Sequence, residues 1–260
     1  MSAPISATLP RVALVTGGGK RLGRTISLTL AEAGFDLAIH CNASTEDAEA
    51  TAADIRKIGR RAIVLRADLS HEPATLTLIP SAISELGPLG VLVNNASTFE
   101  RDDWHDATRA SWDRHIEPNL RAPFVLTQAF AQALPQDREG VVINMLDMRV
   151  WSITPHFVSY TVSKFGLWAL TQSMALALAP RIRVNGIGPG PALPNTRQTP
   201  EQFQRQAGST PLQRGPSLEE VGEAVLSILR LRSMTGQMIA LDGGQHMQWS
   251  PSPAAPLDDE

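Results

Sequence analysis

The chain is poor in several residue types, and each scarcity excludes a class of protein. Its 260 residues contain one cysteine and one tyrosine, Tyr160. A single cysteine cannot form an internal disulfide or a cysteine-based zinc site, which excludes a disulfide-stapled secreted scaffold. With a formal net charge of -3 and 5% aromatic residues, the chain also lacks the basic surface and the aromatic platform that nucleic-acid binding requires.

Long hydrophobic segments are missing as well. No apolar run approaches the roughly 18 residues of a membrane-spanning helix, and Met1-Ser2-Ala3-Pro4 does not begin a secretory signal. The six histidines show no metal-ligand spacing, so we expect no metal site. The hydrophobic content of 43% is that of an ordinary globular protein. We therefore expect a soluble, cytoplasmic protein that binds a small-molecule substrate, with neither a nucleic acid nor a membrane as partner.

Short apolar runs alternate with longer stretches of helical periodicity. The runs are almost continuously apolar, as expected of strands in a sheet that is covered on both faces. This alternation is typical of βαβ units, so we predict an α/β fold: a Rossmann-type, doubly wound, parallel seven-stranded sheet with helices on both faces, in a single domain. Pro118 and Pro123 are expected to kink or interrupt one of the helices. The predicted strands are 12–16, 37–40, 62–65, 91–93, 141–143, 182–185 and 238–241, and the predicted helices are 22–33, 45–58, 71–86, 107–133, 157–179 and 217–231.

The domain organisation follows from where this pattern begins and ends. We predict an N-terminal extension at residues 1–10 and one domain at residues 11–249. Residues 250–260 contain three prolines and an acidic end, which predicts a flexible tail. Residues 188–216 are rich in proline, glycine and glutamine, so we predict a mobile loop there that closes over the substrate.

A glycine-rich turn, Thr16–Gly23, lies between the first predicted strand and the first predicted helix. Glycines in such a turn let backbone N–H groups approach a pyrophosphate at the helix N-terminus, so this order of elements predicts a dinucleotide site. The second strand ends in Ile39–Ser44 without the acidic residue that binds the ribose hydroxyl of NAD. Because Lys20 and Arg21 add positive charge nearby, we predict NADPH rather than NADH. The alternative is that these two residues are only solvated surface charges.

Tyr160 and Lys164 stand four residues apart at the start of a predicted helix, a spacing that places both on one face. An ammonium group beside a phenol stabilises the phenolate, so we expect Lys164 to lower the pKa of Tyr160 from its ordinary value near ~10. Such a tyrosine can donate a proton to a substrate atom that gains negative charge after hydride transfer. The alternative is an ordinary pair of side chains on a helix surface.

Further short motifs follow the predicted strands or lie in the long helix. They are Asp68-Leu69, Asn94-Asn95-Ala96, Asn119, Pro189-Gly190 and Asp242-Gly243-Gly244. With the glycine-rich turn and the tyrosine–lysine pair, they resemble the short-chain dehydrogenase/reductase family over about residues 12–245.

The resemblance implies roles for these residues and a homotetrameric assembly. Tyr160 is then the proton donor, and Lys164 holds the nicotinamide ribose and tunes the tyrosine. Asn119 would help to hold a water that links Lys164 to solvent. Around the cofactor, the resemblance places Asp68 and Leu69 at the adenine, and Asn95 and Ala96 at the adenosine ribose.

Departures from the usual family pattern narrow the expected function. Arg21 stands in place of a glycine of the turn, Ser97 in place of the glycine that ends the asparagine motif, and Asp147 in place of the serine 13 residues before the tyrosine. All three resemble the pteridine reductase branch, of which the bacterial dihydromonapterin reductases are a variant, and Phe99 stands at the matching phenylalanine position. That branch carries a basic-polar pair where this chain has Asn42-Ala43, which predicts a weaker grip on a 2′-phosphate.

The leading hypothesis is therefore an NADPH-dependent reductase that transfers a hydride to a pteridine-type substrate: a dihydropterin, dihydrofolate or dihydromonapterin. Reducing a C=N bond needs a hydride at carbon and a proton at nitrogen, and Asp147 beside Tyr160 is expected to relay that proton. Phe99 is expected to stack on the flat pterin. Two alternatives are a short-chain carbonyl reductase that acts on a ketone or aldehyde, and a protein that senses NADP(H) without turnover.

The predicted site residues fall into three groups. The catalytic group is Asn119, Asp147, Tyr160 and Lys164. The substrate group is Arg21, Ser97, Phe99, Asp147 and Tyr160. The cofactor group is Gly17, Lys20, Arg21, Leu22, Gly23, His40, Asn42, Ser44, Asp68, Leu69, Asn95, Ala96, Ser97, Tyr160, Lys164, Pro189 and Gly190.

Overall fold

The computed structural model describes residues 4–195 and 198–248. Within them, seven strands form one sheet in the order β3-β2-β1-β4-β5-β6-β7, and every pair of neighbours is parallel. This confirms the predicted Rossmann-type fold. The strands are β1 (Val12–Val15), β2 (Asp36–Cys41), β3 (Ala62–Arg66), β4 (Val91–Asn94), β5 (Gly140–Met145), β6 (Ile182–Pro189) and β7 (Met238–Leu241).

The apolar runs form strands because both faces of the sheet are covered. Successive residues of β1 enter different cores: Ala13 and Val15 pack in one, and Val12 and Leu14 in the other. The first core lies against α1, α2 and α9, and the second against α4, α6 and α7. These helices are α1 (Arg21–Glu32), α2 (Thr45–Lys57), α4 (Leu78–Leu86), α6 (Ala122–Ala133), α7 (Val158–Leu178) and α9 (Leu218–Arg230), and the others are α3 (Glu72–Thr75), α5 (Arg109–Ile116) and α8 (Pro200–Gly208).

Two helices predicted as continuous are divided in the structure. The stretch predicted at 71–86 forms α3 and α4, because Pro80 has no N–H to donate to the carbonyl four residues earlier, and lies instead in the first turn of α4. The stretch predicted at 107–133 forms α5, a π-helical turn over Glu117–Arg121, and α6. Pro118 lies in that turn and Pro123 in the first turn of α6, so the two prolines coincide with an interruption of the α-helical hydrogen bonding, as predicted, while the chain stays helical from Arg109 to Ala133.

The stretch predicted as a loop at 188–216 is only partly irregular. β6 runs on to Pro189, and α8 occupies Pro200–Gly208, so the prediction of a loop is wrong for these residues. Thr199 begins α8 with a capping box, in which its side chain accepts from the N–H of Gln202 and the side chain of Gln202 accepts from the N–H of Thr199. The tail predicted at 250–260 lies outside the described residues.

The functional edge of the sheet follows from the strand order. β1 continues to β2 on one side and to β4 on the other, so the order reverses between β1 and β4. In open α/β sheets, ligands bind beyond the carboxyl ends of the strands at such a point. Among the described residues, no helix is long and apolar enough to cross a membrane, and no group of three or more metal-ligating side chains is present.

Candidate active site

The glycine-rich turn after β1 is built from close backbone contacts. Gly17 has a φ of +61°, which favours glycine. A Cβ on Gly23 would lie 2.0 Å from the carbonyl oxygen of Gly17, and a Cβ on Gly19 would lie 2.7 Å from the Cα of Ala48. No side chain fits at these places, so backbone N–H groups remain accessible at the start of α1. The turn therefore has the construction of a dinucleotide site.

The side chains of Thr16, Asn95 and His40 hold this turn in place by hydrogen bonds to its backbone and to the loop after β4. The Thr16 hydroxyl accepts hydrogen bonds from the N–H groups of Asn95 and Ala96 at 2.9 and 3.0 Å. The Asn95 side chain donates to the carbonyl of Thr16 at 2.8 Å. His40 is 2% exposed, and its Nδ1 accepts from the N–H of Gly17 at 3.2 Å while Nε2 lies 3.0 Å from the carbonyl of Ala67. Burial lowers the pKa of His40, which keeps the Nδ1 lone pair available.

Arg21 occupies an unusual place in the turn. Its φ is +53°, in the left-handed region that favours glycine, which explains why a glycine is usual at this position in the family that the sequence resembles. The Arg21 guanidinium donates to the carbonyl of Pro194 at 2.8 Å. The arginine therefore ties the turn to the segment between β6 and α8.

A cleft of about 1020 Å³ opens where β1, β2, β3 and β4 end. Its lining contains every predicted cofactor residue except Tyr160, Lys164, Pro189 and Gly190. The structure thus brings most of the predicted cofactor residues together, from four different strand ends. The lining also includes residues of α5 and the π-helical turn that the sequence did not predict: Ala110, Asp113, Arg114, Glu117 and Pro118.

The part of the cleft beyond β2 is bordered by uncharged residues of that strand end. Asn42 and Ser44 line it, and the Ser44 hydroxyl makes no capping bond to α2. Arg66, at the end of β3, donates to the carbonyl of Asn42 at 3.1 Å. This arginine adds a positive charge beside the end of β2 that the sequence analysis missed, because β3 pairs with β2 only in the folded sheet.

The predicted catalytic residues form a second, buried cluster. The Tyr160 hydroxyl donates to Oδ2 of Asp147 at 2.8 Å. Phe99 meets the tyrosine ring edge-on, with the ring centroids 4.7 Å apart, and stacks on Phe157 at 4.5 Å. In the structure Phe99 is therefore a packing partner of the tyrosine, and its stacking on a substrate stays a prediction.

Burial reverses one expectation about this cluster. The pKa of Tyr160 is raised well above 10, first by burial and then by the negative charge of Asp147. The expectation that Lys164 lowers this pKa is wrong for the structure, since the ammonium Nζ donates to the carbonyl of Met145 at 2.8 Å and lies 5.7 Å from the centre of the tyrosine ring. Burial also lowers the pKa of Lys164 to about 8. The phenol consequently holds its proton at neutral pH.

Asn119 connects the buried cluster to the cleft. It lies in the π-helical turn and is 1% exposed. Its side chain accepts from the N–H of Thr98 at 2.8 Å, and donates to the carbonyl of Thr98 at 2.9 Å and to the Ser163 hydroxyl at 3.1 Å. Thr98 lines the cleft and Ser163 precedes Lys164. The predicted water-holding role of Asn119 stays a prediction.

A buried network that the sequence analysis missed fixes the start of α7. Both oxygens of the Asp102 carboxylate accept from Ser159, one from its N–H at 3.1 Å and one from its hydroxyl at 2.5 Å. His115 from α5 lies 2.7 Å from the same hydroxyl. Asp102 thereby takes the place of a capping side chain, which Phe157 cannot supply. Because Ser159 precedes Tyr160, this network sets where the phenol lies.

Pro189 and Gly190 end β6 at the same edge of the sheet. A Cβ on Gly190 would lie 2.7 Å from the Cα of Asp242, so the glycine allows the two backbones to approach. Asp242 in turn accepts from the N–H of Gly244 and from His246. The two motifs thus support each other, and contact between Pro189-Gly190 and a cofactor stays a prediction.

The two clusters together define a class of protein. A glycine-built dinucleotide turn lies beside a buried phenol that holds its proton, which suits transfer of a hydride with protonation of the acceptor. The family model for short chain dehydrogenases matches residues 11–205. The chain therefore belongs to the short chain dehydrogenase family of oxidoreductases.

Known proteins similar to this chain point to reductases. It is 48% identical to the FolM alternative dihydrofolate reductase 1 of Brucella suis, solved in complex with NADP, with a TM-score of 0.90 over 95% of this chain and 99% of that one. The corresponding protein of Brucella canis, also with NADP, is 46% identical, with a TM-score of 0.89 over 96% and 100%. A 3-oxoacyl-[acyl-carrier-protein] reductase of Staphylococcus aureus is 30% identical over 244 residues, covering 92% of this chain and 99% of that one.

Proposed function

We propose that the protein is an NADPH-dependent reductase of pteridine-type substrates: a dihydropterin, dihydrofolate or dihydromonapterin. The observation that carries this proposal is the hydrogen bond from the Tyr160 hydroxyl to Asp147, which is 2.8 Å long and joins a buried phenol to a partly buried carboxylate. An aspartate at this place is one of the three departures, with Arg21 and Ser97, by which the sequence resembles the pteridine reductase branch. The sequence identity of 46–48% to two alternative dihydrofolate reductases supports the same choice.

The residues of the chain account for the proton, and NADPH when bound supplies the hydride. Tyr160 is the proton donor: its O–H bond breaks as an N–H bond forms on the reduced C=N group. Asp147 orients the phenol and, after the transfer, takes up a proton from solvent and passes it to the tyrosine oxygen. Arg21 and Ser97 lie at the cleft and are the candidate contacts to the substrate, with Phe99 beside the tyrosine.

Preference for NADPH over NADH is supported by the charges beyond β2. No carboxylate is present in Asn42-Ala43-Ser44, so these residues carry no charge that repels a 2′-phosphate. Lys20 and Arg21 line the cleft, and Arg66 lies against Asn42. These three cations are the candidate partners of the phosphate, and NADP is the ligand in both Brucella structures.

A carbonyl reductase is the second candidate function. The 30% identity to a 3-oxoacyl-[acyl-carrier-protein] reductase favours it, and the same tyrosine can protonate an alkoxide oxygen. A sensor of NADP(H) without turnover is disfavoured by the presence of both Tyr160 and Lys164.

The experiment that separates these functions measures NADPH oxidation at 340 nm with a panel of dihydropteridines, dihydrofolate, simple ketones and a 3-oxoacyl thioester. We expect turnover of at least one pteridine or folate. Turnover of ketones or thioesters alone would refute the pteridine assignment, and cofactor binding without any turnover would favour a sensor.

Asp147→Ser is the matched variant, because serine still offers a hydroxyl to Tyr160 and is the usual residue at this place in the wider family. We expect kcat with a pteridine to fall about 10²-fold or more, the scale on which a lost acid–base group acts, while any residual ketone reduction is retained. Equal loss for both substrate classes would refute a special role of Asp147 in pteridine reduction. The homotetramer implied by the family resemblance is tested separately by light scattering.

A further inference from the structure

The geometry points to Arg149 as the positioning residue that balances negative charge when Tyr160 gives up its proton. The inference rests on the proposed function in one respect, since it concerns the same proton transfer. Arg149 lies in a short helical turn, Met148–Val150, directly after Asp147. It was absent from the residues predicted from sequence.

Arg149 is buried beside the Asp147 carboxylate, whose other oxygen contacts the tyrosine. Its guanidinium nitrogen lies 3.5 Å from Oδ1 of Asp147, and its own backbone N–H donates to the same oxygen at 2.9 Å. The other carboxylate oxygen accepts the Tyr160 proton. The Arg149 side chain is 8% exposed, so water screens this charge little.

Aromatic rings and a hydroxyl hold the guanidinium in place. Its central carbon lies 5.3 Å from the ring centre of Phe157 and 5.7 Å from that of Phe99, within the range of cation–π contacts. Its Nε donates to the Thr154 hydroxyl at 3.3 Å. A buried cation held by rings on one side and a carboxylate on the other is a constructed feature of the site, and Phe99 is also the ring that packs against the tyrosine.

Charge balance explains why such a cation is needed. While the phenol is neutral, the pair Tyr160–Asp147 carries one negative charge. When the Tyr160 O–H bond breaks and its proton forms the N–H bond of the product, the pair carries two adjacent negative charges in a buried place, which is unfavourable. The usual cation of this fold, Lys164, donates to the carbonyl of Met145 instead. Arg149 supplies a second positive charge on the far side of Asp147.

The titratable groups that face the phenol are few. Asp147 and Arg149 come from the segment after β5, Lys164 from α7, and His115 from α5, with its ring centre 6.0 Å from that of the tyrosine. Burial lowers the pKa of His115, so it contributes no charge at neutral pH. Asp147 acts to raise the pKa of Tyr160 and Arg149 acts to lower it, in agreement with the geometry.

The lone tyrosine of the chain gives a direct test. Protein labelled with ¹³C at Cζ of tyrosine has one such resonance, from Tyr160, and its chemical shift against pH gives the midpoint of phenol ionisation. Asp147 raises this midpoint, so the test uses Asp147→Asn, in which the phenol ionises at lower pH. The double variant Asp147→Asn/Arg149→Met is compared with Asp147→Asn alone. We expect Arg149→Met to raise the midpoint by about one pH unit or more, because the positive charge of Arg149 lowers the pKa of Tyr160 and methionine removes it.

Two further variants keep the result specific. Arg149→Lys preserves the charge and is expected to recover most of the shift. Arg121→Met is the matched control, since Arg121 also stacks on a phenylalanine ring, Phe124, and pairs with a carboxylate, Glu72, away from the tyrosine. A midpoint unchanged by Arg149→Met, or moved equally by Arg121→Met, would overturn the inference.

Kinetics with the wild-type background complete the test. With whichever substrate the enzyme reduces, Arg149→Met is expected to lower kcat about tenfold, to leave KM for NADPH within twofold, and to move the alkaline limb of the kcat profile upward. A loss confined to KM would overturn the inference. The titration needs no substrate, so failure on pteridines would refute the proposed function and leave the role of Arg149 to be decided by the titration.

Discussion

Replacing Lys164 by methionine is expected to stabilise the protein at neutral pH. Lys164 is 3% exposed, and burial lowers its pKa from 10.5 to about 8. That difference corresponds to about 3 kcal/mol by which burying the ammonium disfavours the folded state at pH 7. Methionine has a similar length and no charge, so Lys164→Met removes this penalty.

The lysine also contributes one favourable contact, which the variant loses. Its hydrogen bond to the carbonyl of Met145 is 2.8 Å long, and a bond donated by a charged group contributes about 2 kcal/mol net. The expected gain in unfolding free energy at pH 7 is therefore about 1 kcal/mol, equivalent to a Tm higher by roughly 3 °C for a chain of this size.

The gain must depend on pH with a definite sign. The folded state binds fewer protons at Lys164 than the unfolded state between about pH 8 and 10.5, so the stability of the wild type rises with pH across this window. The free energy of unfolding of Lys164→Met minus that of wild type is then expected to fall by about 2 kcal/mol between pH 7 and 9.5, so that the wild type becomes the more stable protein at the upper end.

Urea unfolding of both proteins at a series of pH values measures this difference directly. Lys57→Met serves as the control, because the Lys57 side chain is 76% exposed and its replacement is expected to show no such trend. A Lys164→Met variant less stable than wild type at pH 7, or a difference that stays constant up to pH 9.5, would refute the reasoning.

Two predictions concern the turn after β1. Gly23→Ala places a Cβ 2.0 Å from the carbonyl oxygen of Gly17. By shifting the turn, this variant is expected to weaken NADPH binding at least about tenfold in a fluorescence titration. Gly208→Ala is the control and should bind NADPH normally, because a Cβ there has no neighbouring atom within 4 Å. Arg21→Ala and Arg21→Gly both lose the guanidinium, but at a φ of +53° the glycine variant is expected to be more stable by about 1 kcal/mol, and equal stability in urea would contradict a strained backbone there.

The fold could be predicted from sequence because its signals are local and repeated. Seven apolar runs of strand length with helical stretches between them determine a parallel sheet almost alone. The errors also have local causes that the sequence contains. Pro80 divides a predicted helix, and Thr199 with Pro200 and Gln202 forms a capping sequence that announces α8 inside the predicted loop.

The residues of the site were predictable to the extent that they belong to contiguous motifs. The turn at 16–23 and the pair Tyr160 and Lys164 are such motifs. Arg66 and Asp102 are not: the first reaches the cleft through the pairing of β3 with β2, and the second through the packing of a loop on the start of α7. Contacts of this kind join residues far apart in the chain, so the spacing of residues in one sequence does not predict them.

The pKa of Tyr160 shows why residue spacing alone predicts a shift in the wrong direction. Four residues along a helix place Lys164 beside Tyr160, and in water the ammonium would lower the pKa of the phenol. In the folded chain both groups are buried, and desolvation acts against the charged form of each: it raises the pKa of the tyrosine and lowers that of the lysine. The lysine is also turned toward Met145 and the phenol toward Asp147. A further positive charge near the phenol comes from a group whose position depends on tertiary packing: Arg149, held between Asp147 and two aromatic rings, is the residue to which we assign that part.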